Sequence, residues 1–487
     1  MTKNPFLTLP PELRNKIYRE YFVVEGGYTL DFEAQKLTAA NGDRIHLGLL
    51  STCKFIVQEA EPIPFGVNTI TFSTVYTKKT CYYAGLLQNG LKLIHDRLEG
   101  DFDSTQRLLT PDICSEVIRK FPRAASTLEN VLHPHLERLG GLCNTFQPYY
   151  DREAIFYAIQ CLVHKHGMKY VHEVNHSRRC VSDPLKIVDL SRVSWAFPTE
   201  AHLHRIAREF GNPASICPHN GRQYRFTAAS VAIRFLDSIP ATTRLRMRNI
   251  LLREDRRAGC FQECHAQGLI PFCQENPRLR IESRVSLWRT IFQKPEMDRI
   301  DYVWSEVCGS SFCSETRENL TENLTKNLGK TLKPWLLEAL ALLDDGMPPD
   351  SFTLVLDGDP APDFANEIFQ TVIFRDIAWS EAFKEAYARN ILPRPECHVD
   401  GDESFLRLMR HLVNKTSILR CNFDTGEFWD VEKLIEQAHG WDSKRWSHNF
   451  LRRQPRVLET GPRLPEWCDL LLENFDPQWR EFWSQNA

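Results

Sequence analysis

No apolar run in this chain approaches the ~20 residues that cross a bilayer, and Met1-Thr2-Lys3-Asn4-Pro5 leads straight into Phe6-Leu7-Thr8-Leu9 rather than into an apolar signal core. The expectation is an intracellular protein of the cytoplasm or nucleus, with no membrane partner. An excess of either charge is also missing. A formal net charge of −3 offers no global attraction to nucleic acid, so nucleic acid is not an expected partner and binding it would need a local patch. There is no phosphate-cradling Gly-rich loop, no nucleophile elbow and no kinase motif set. The chain is therefore expected to be non-enzymatic and without a cofactor. Fifteen cysteines are scattered with no compact framework, and an intracellular setting keeps such thiols reduced. In that setting the sequons at Asn319, Asn323 and Asn414 are chance matches.

What is present is a globular composition, 42% hydrophobic and 25% charged over 487 residues, long enough for two or three cores. The N-terminus opens on Leu9-Pro10-Pro11-Glu12-Leu13. Prolines suit the first helical positions, where an amide hydrogen has no intrahelical acceptor, and Glu12 faces the positive end of the dipole. The helix is expected to run to Phe22, with Leu13, Ile17, Tyr18, Tyr21 and Phe22 as its apolar stripe and Arg14, Asn15, Lys16, Arg19 and Glu20 opposite. One helix cannot bury that stripe alone, so it reads as a docking element for a partner protein.

The run from Leu9 to Tyr18 resembles the first helix of the F-box-like protein family of filamentous fungi. Ile45 to Ile56, followed by Glu59-Ala60, looks like the later helix of the same module, and Asn68-Thr69-Ile70-Thr71-Phe72 like the strand behind it. Ile233 to Leu236, Glu263 to Cys273 and Pro277 to Glu282 are similar to the downstream body of that group. The resemblance implies an adaptor that binds the Skp-type linker subunit of a cullin ubiquitin ligase and holds an unknown client protein. Phe6, Leu9, Pro10, Leu13, Ile17 and Tyr18 would meet the linker, with Leu50, Cys53 and Ile56 packing behind. Fully buried, alanine at Leu9 or Leu13 would cost ~2–5 kcal/mol each. One departure is a hairpin expected between Gly26 and Leu47, turning at Asn41-Gly42, which alters the linker-binding surface. A structural F-box-like protein with no ligase role stays open beside the adaptor.

The expected class is α+β. It comprises an F-box-like helical module with an inserted β-hairpin (1–76), a mainly helical segment (77–212) and an α/β segment (213–315). A low-complexity helix or linker (316–333) and an α/β segment with Trp-rich C-terminal helices (334–487) complete it. Helix starts are read at Thr110-Pro111-Asp112 and Asp151, an apolar stripe at Leu203, Ile206, Ala207 and Phe210, and a strand at Tyr224 to Phe226. Helix-then-strand order recurs at Ala228 to Leu236 before Asn249 to Arg253, at Trp335 to Leu343 before Phe352 to Leu356, and at Phe405 to Val413 before Ser417 to Cys421. The spacing is too irregular for a solenoid. Leu320, Leu324, Leu328 and Leu332 recur every fourth residue, as a solvated helix or a docking stripe.

Four constellations bear on chemistry. His172-Glu173-Val174-Asn175-His176 matches the zinc-peptidase pattern, in which helical histidines bind zinc and the glutamate activates water, but no third ligand stands at a recognisable spacing. A zinc-dependent hydrolase is thus the alternative to the adaptor, against surface histidines. Cys260, Cys264, His265 and Cys273 suit a tetrahedral zinc site or simple packing, with no Cys-x-x-Cys knuckle to fix them. Arg244, Arg246 and Arg248 alternate as in a strand that could track phosphates or form an exposed sheet face. Asp357, Asp359 and Asp363 fail as a calcium loop because Ala361 and Pro362 stand where ligands are needed.

Overall fold

The chain is described by a computed structural model over residues 5–125, 149–177, 184–190, 192–210, 221–293, 328–391, 403–452 and 458–476. Its class is α+β, as the sequence predicts. Helix α1 (Pro11–Phe22) begins with Pro11 in its first turn and stops where Val23 turns extended. The later N-terminal helix is broken. A 3-10 turn, Gly48–Ser51, precedes α2 (Lys54–Ala60), and α3 (Ile63–Val67) follows. Tyr18, Phe22, Ile56 and Ala60 form a small separate core between them.

Seven strands form one mixed sheet: β1 (Tyr28–Asp31), β2 (Lys36–Ala39), β3 (Thr69–Ser73), β4 (Asn249–Glu254), β5 (Arg280–Ser286), β6 (Phe352–Asp357) and β7 (Leu419–Cys421). Their lateral order is β2-β1-β3-β4-β5-β6-β7. Only β1 and β2 are antiparallel; every other pair is parallel. The parallel strands thus lie side by side in chain order, the order for which right-handed crossovers would all fall on one side of the sheet. The long β3-to-β4 connection carries α4 (Lys78–Thr105), opened by reciprocal Thr77 and Thr80 hydrogen bonds of 3.0 and 2.7 Å. Helices Tyr149–His166, Met168–Ser177 and Glu200–Glu209 pack against it, and Pro111–Lys120 packs on Tyr149–His166.

The burial pattern matches that topology. Tyr28, Ile70, Ile250, Ile281 and Phe352 make one lateral register row, and all are buried. Phe72, Leu252, Ser283, Leu354 and Leu419 make the next, again buried, and Phe72 meets Phe235 of the Ala228–Ser238 helix at 5.5 Å. The opposite face carries Thr71, Leu251, Glu282 and Thr353 in one row, then Ser73, Arg253, Arg284, Val355 and Arg420. Parallel sheets are ordinarily covered on both faces; here the second is the more polar, with Ser73, Arg253, Arg280 and Arg284 exposed but Thr71 and Val355 buried. A further core joins the Phe374–Ala388 and Val431–Gln437 helices through Trp379, Phe383 and Trp446. Among the C-terminal tryptophans, Trp467 instead packs near Trp288 of the main core.

Several local expectations change. The hairpin turns at Phe32–Gln35, where the Asp31 carboxylate accepts the Glu33 and Ala34 amides and Gln35 takes φ +53°. Asn41-Gly42 instead closes a tight turn after β2, Gly42 donating to the Ala39 carbonyl, and Arg44 to Leu47 form no strand. The hairpin extends the shared sheet rather than interrupting a helical bundle, so residues 28–73 belong to the body by backbone hydrogen bonds. Tyr224 to Phe226 contributes one bridge, Phe226 to Val75. Arg244 ends a short helix, Ala241–Arg244, and no strand runs through Arg246 or Arg248. Leu328 and Leu332 are buried in the Leu328–Asp344 helix rather than offered to a partner, while Leu320 and Leu324 lie outside the described residues.

Gly27 sits where β1 meets β3, at φ +73°, and a Cβ there would lie 2.2 Å from the Thr69 carbonyl oxygen. Gly27→Ala should therefore lower stability by about 1–3 kcal/mol, read from the urea midpoint at unchanged slope.

Candidate protein-docking surface

Two neighbouring rows of α1 have opposite fates. Arg14, Tyr18 and Phe22 face inward. Arg14 reaches across to Glu59 of α2 through two bonds, Nε to Oε2 at 2.9 Å and Nη2 to Oε1 at 2.5 Å, and also donates to the Leu9 carbonyl. Tyr18 donates to the same carboxylate at 3.1 Å. This fork leaves the guanidinium inward, with the Phe55 ring 5.0 Å away. The Arg14 bonds hold the Glu59 carboxyl below its usual range.

The next row, Leu13, Ile17 and Tyr21, is 49%, 44% and 46% exposed. Leu7, Val23, Leu47 and Phe55 of the same region are exposed as well. Scattered apolar residues are normal on a surface, but three in register along one helix, with further large apolar side chains on neighbouring elements, form a patch that water solvates poorly.

The sequence-derived contact residues divide accordingly. Leu13, Ile17, Pro10 and Cys53 are exposed; Phe6, Leu9 and Leu50 are half-buried. Tyr18 and Ile56 are buried in the module itself, so they shape the surface without reaching a partner. Leu13 is not buried in the free chain, and Arg14, assigned to the solvent side, is. The inward turn of Arg14 depends on Glu59, 45 residues away, and no local pattern reports it. Tyr21 belongs to the exposed row, while Leu47 and Phe55, absent from the contact residues read from the sequence, join the patch. Their only signal was large apolar side chains beside the module's own core.

The remaining constellations have other roles. His172 and His176 do share one face of the Met168–Ser177 helix, with rings 6.1 Å apart, but Glu173 pairs with Arg107. Among the described residues no three His, Cys, Asp or Glu side chains are grouped to hold a metal. His265 is buried, its Nδ1 2.8 Å from Thr227 Oγ1 and its Nε2 3.0 Å from the Cys260 carbonyl oxygen, so both ring nitrogens are occupied by hydrogen bonds. Cys264 approaches Arg152 and Ser194, while Cys273 is buried in the main core. Arg244 pairs with Glu275, Arg246 with Glu61, and Arg248 binds the Leu245 and Met247 carbonyls, so the three do not line one face of a strand. Asn422 ties Asp357 to Asp359 at 2.7 and 3.1 Å.

Beside His265, Glu254 ends β4 inside the protein. Its carboxylate accepts the Ala228 and Ala229 amides at 3.2 and 2.9 Å, at the start of the Ala228–Ser238 helix, and the Gln262 side chain at 2.8 Å. Burial nonetheless pushes the carboxyl up to about 7. No family model, curated protein or solved structure matches the chain. No helix among the described residues is long and apolar enough to cross a membrane.

The two carboxylates give opposite pH signatures. Glu59 is depressed, so its contribution is present above its unfolded pKa and is lost as pH falls through the lower folded value. Glu59→Gln should remove that part of the acid-side loss, seen in urea titrations across acid pH. Glu254 is raised, so its contribution is full below its unfolded pKa and is lost as pH rises through about 7. Glu254→Gln should flatten stability across that interval while the acid side stays as in the parent.

Proposed function

We propose that this chain is a non-enzymatic protein-interaction adaptor of the F-box-like kind. In this reading it is the substrate-recognition subunit of a cullin-type ubiquitin ligase, docking a Skp-type linker through α1 and carrying a client on its body in the cytoplasm or nucleus. The observation that carries the reading is the exposed Leu13, Ile17 and Tyr21 row, on a helix whose adjacent row is pinned by the Arg14 to Glu59 fork. A helix so held presents its apolar row already ordered, which lowers the entropy lost on docking into a groove. The Leu-Pro-Pro-Glu-Leu start and the α2 helix behind it supply the chemical match to such a linker. The patch is built from residues that contribute little to the fold, which is where a partner can act without unfolding the module.

Leu13→Asp with Ile17→Asp should leave the melting temperature close to that of the parent, because both side chains are already solvated. The same change should weaken capture of the linker and cullin from fungal cells by at least about tenfold. Undiminished capture by a folded double variant would overturn the assignment.

A further inference from the structure

The Met168–Ser177 helix packs one side into the protein and leaves the other in water. Tyr170 and Val174 are fully buried, whereas His172 and His176 are exposed. Residues four apart on a helix lie one above the other, so the two imidazoles are neighbours on the solvent side. Their rings are 6.1 Å apart, with 30° between the planes. Neither has a hydrogen bond or an ion pair among the described residues. By contrast, His166, His265 and His411 each bring a ring nitrogen to a protein oxygen.

We propose that His172 and His176 form a two-ligand site for a divalent transition-metal ion such as zinc, with water in the remaining positions. Imidazole nitrogen suits such ions, while carboxylate and carbonyl oxygens suit magnesium and calcium. Bonds of ~2.0–2.1 Å put each ring centre ~3.2 Å from the ion, so two rings at a tetrahedral angle have centres ~5 Å apart. The rings reach that separation from 6.1 Å by small rotations of two exposed side chains, with the backbone unmoved. Lys169, on an adjoining row, is exposed, and its long stem keeps the ammonium in water. The site does not make the chain a hydrolase. Glu173, placed where a zinc peptidase has its water-activating carboxylate, is 12% exposed and pairs with Arg107. Among the described residues no third His, Cys, Asp or Glu is grouped with the pair. An ion held by both rings ties one turn of the helix to the next, and local opening of the helix has to release it. None of this depends on the adaptor reading.

The test is hydrogen exchange of the full chain, read peptide by peptide by mass spectrometry with zinc chloride or magnesium chloride added. The dependence of the rate on zinc gives a dissociation constant. Zinc tenfold above that constant should slow exchange across residues 168–177 about tenfold, and magnesium should leave it unchanged. Because the readout is confined to that helix, zinc taken up by thiols elsewhere does not enter it. His172→Asn with His176→Asn should abolish the slowing at an unchanged melting temperature, since both side chains are solvated. If the pair disturbs folding, His176→Asn alone carries the same expectation, because one imidazole cannot bridge two turns. Glu173→Gln should keep the slowing. No effect of zinc on the parent, equal slowing by magnesium, slowing that persists in a folded histidine variant, or its loss in Glu173→Gln would each overturn the proposal.

Discussion

Right-handed crossovers between parallel strands laid down in chain order return to the same side each time, and most of this molecule follows from that constraint. Because the strand order has no switch, helices gather on the Ile70, Ile250 and Ile281 face and the main core forms there. The other face is richer in polar side chains, although it also carries Leu251 and the buried Val355. A doubly wound sheet would have buried it and demanded apolar residues at Arg253, Arg284 and Thr353. One-sided winding permits arginines in register, and it leaves a flat array of side chains whose spacing is set by backbone hydrogen bonds rather than by loops.

The N-terminal helices are joined to that sheet at two levels. Backbone pairing runs from β1 through β3 into β4, and the Arg246 to Glu61 ion pair links the turn before β4 with the end of α2. Asn68 adds a third tie, its side chain bonding the Val24 amide and the Phe22 and Pro64 carbonyls. The exposed apolar row of α1 is thus carried on a rigid mount. Such a mount suits a docking helix, since movement at its base would be lost entropy on binding.

Legibility from sequence varied with the range of the determining interaction. Helix starts at Pro11, Pro111 and Ala228 and the strands β4, β6 and β7 were readable, because caps, proline positions and short β-branched runs act within a few residues, whereas β3 was expected only from the family resemblance and β5, with its alternating arginines, was not read as a strand. The Asn41-Gly42 turn was misplaced in role, since both Asn-Gly and the Asp31-capped Phe32–Gln35 segment can reverse a chain, and pairing across the strands chose the latter. Arg244, Arg246 and Arg248 looked like one alternating face, but partners at Glu275 and Glu61 took two of them separately. Of the exposed apolar patch, the helix and its Leu13 and Ile17 positions were legible; the inward turn of Arg14 and the exposure of Leu47 and Phe55 were not.

The sequence by itself determined the α+β class, the helices with strong local start signals and an amphipathic N-terminal helix with more apolar surface than one face can hide. Those properties rest on local propensity and periodicity. Only the tertiary structure decided which row of α1 turned inward, because that choice was made by a carboxylate on another helix. It also decided that Arg253, Arg284 and Arg420 share one line. Their separations along the chain carry no sign of this, since lateral register between parallel strands is fixed by crossovers and by the buried face, not by the residues that end up exposed.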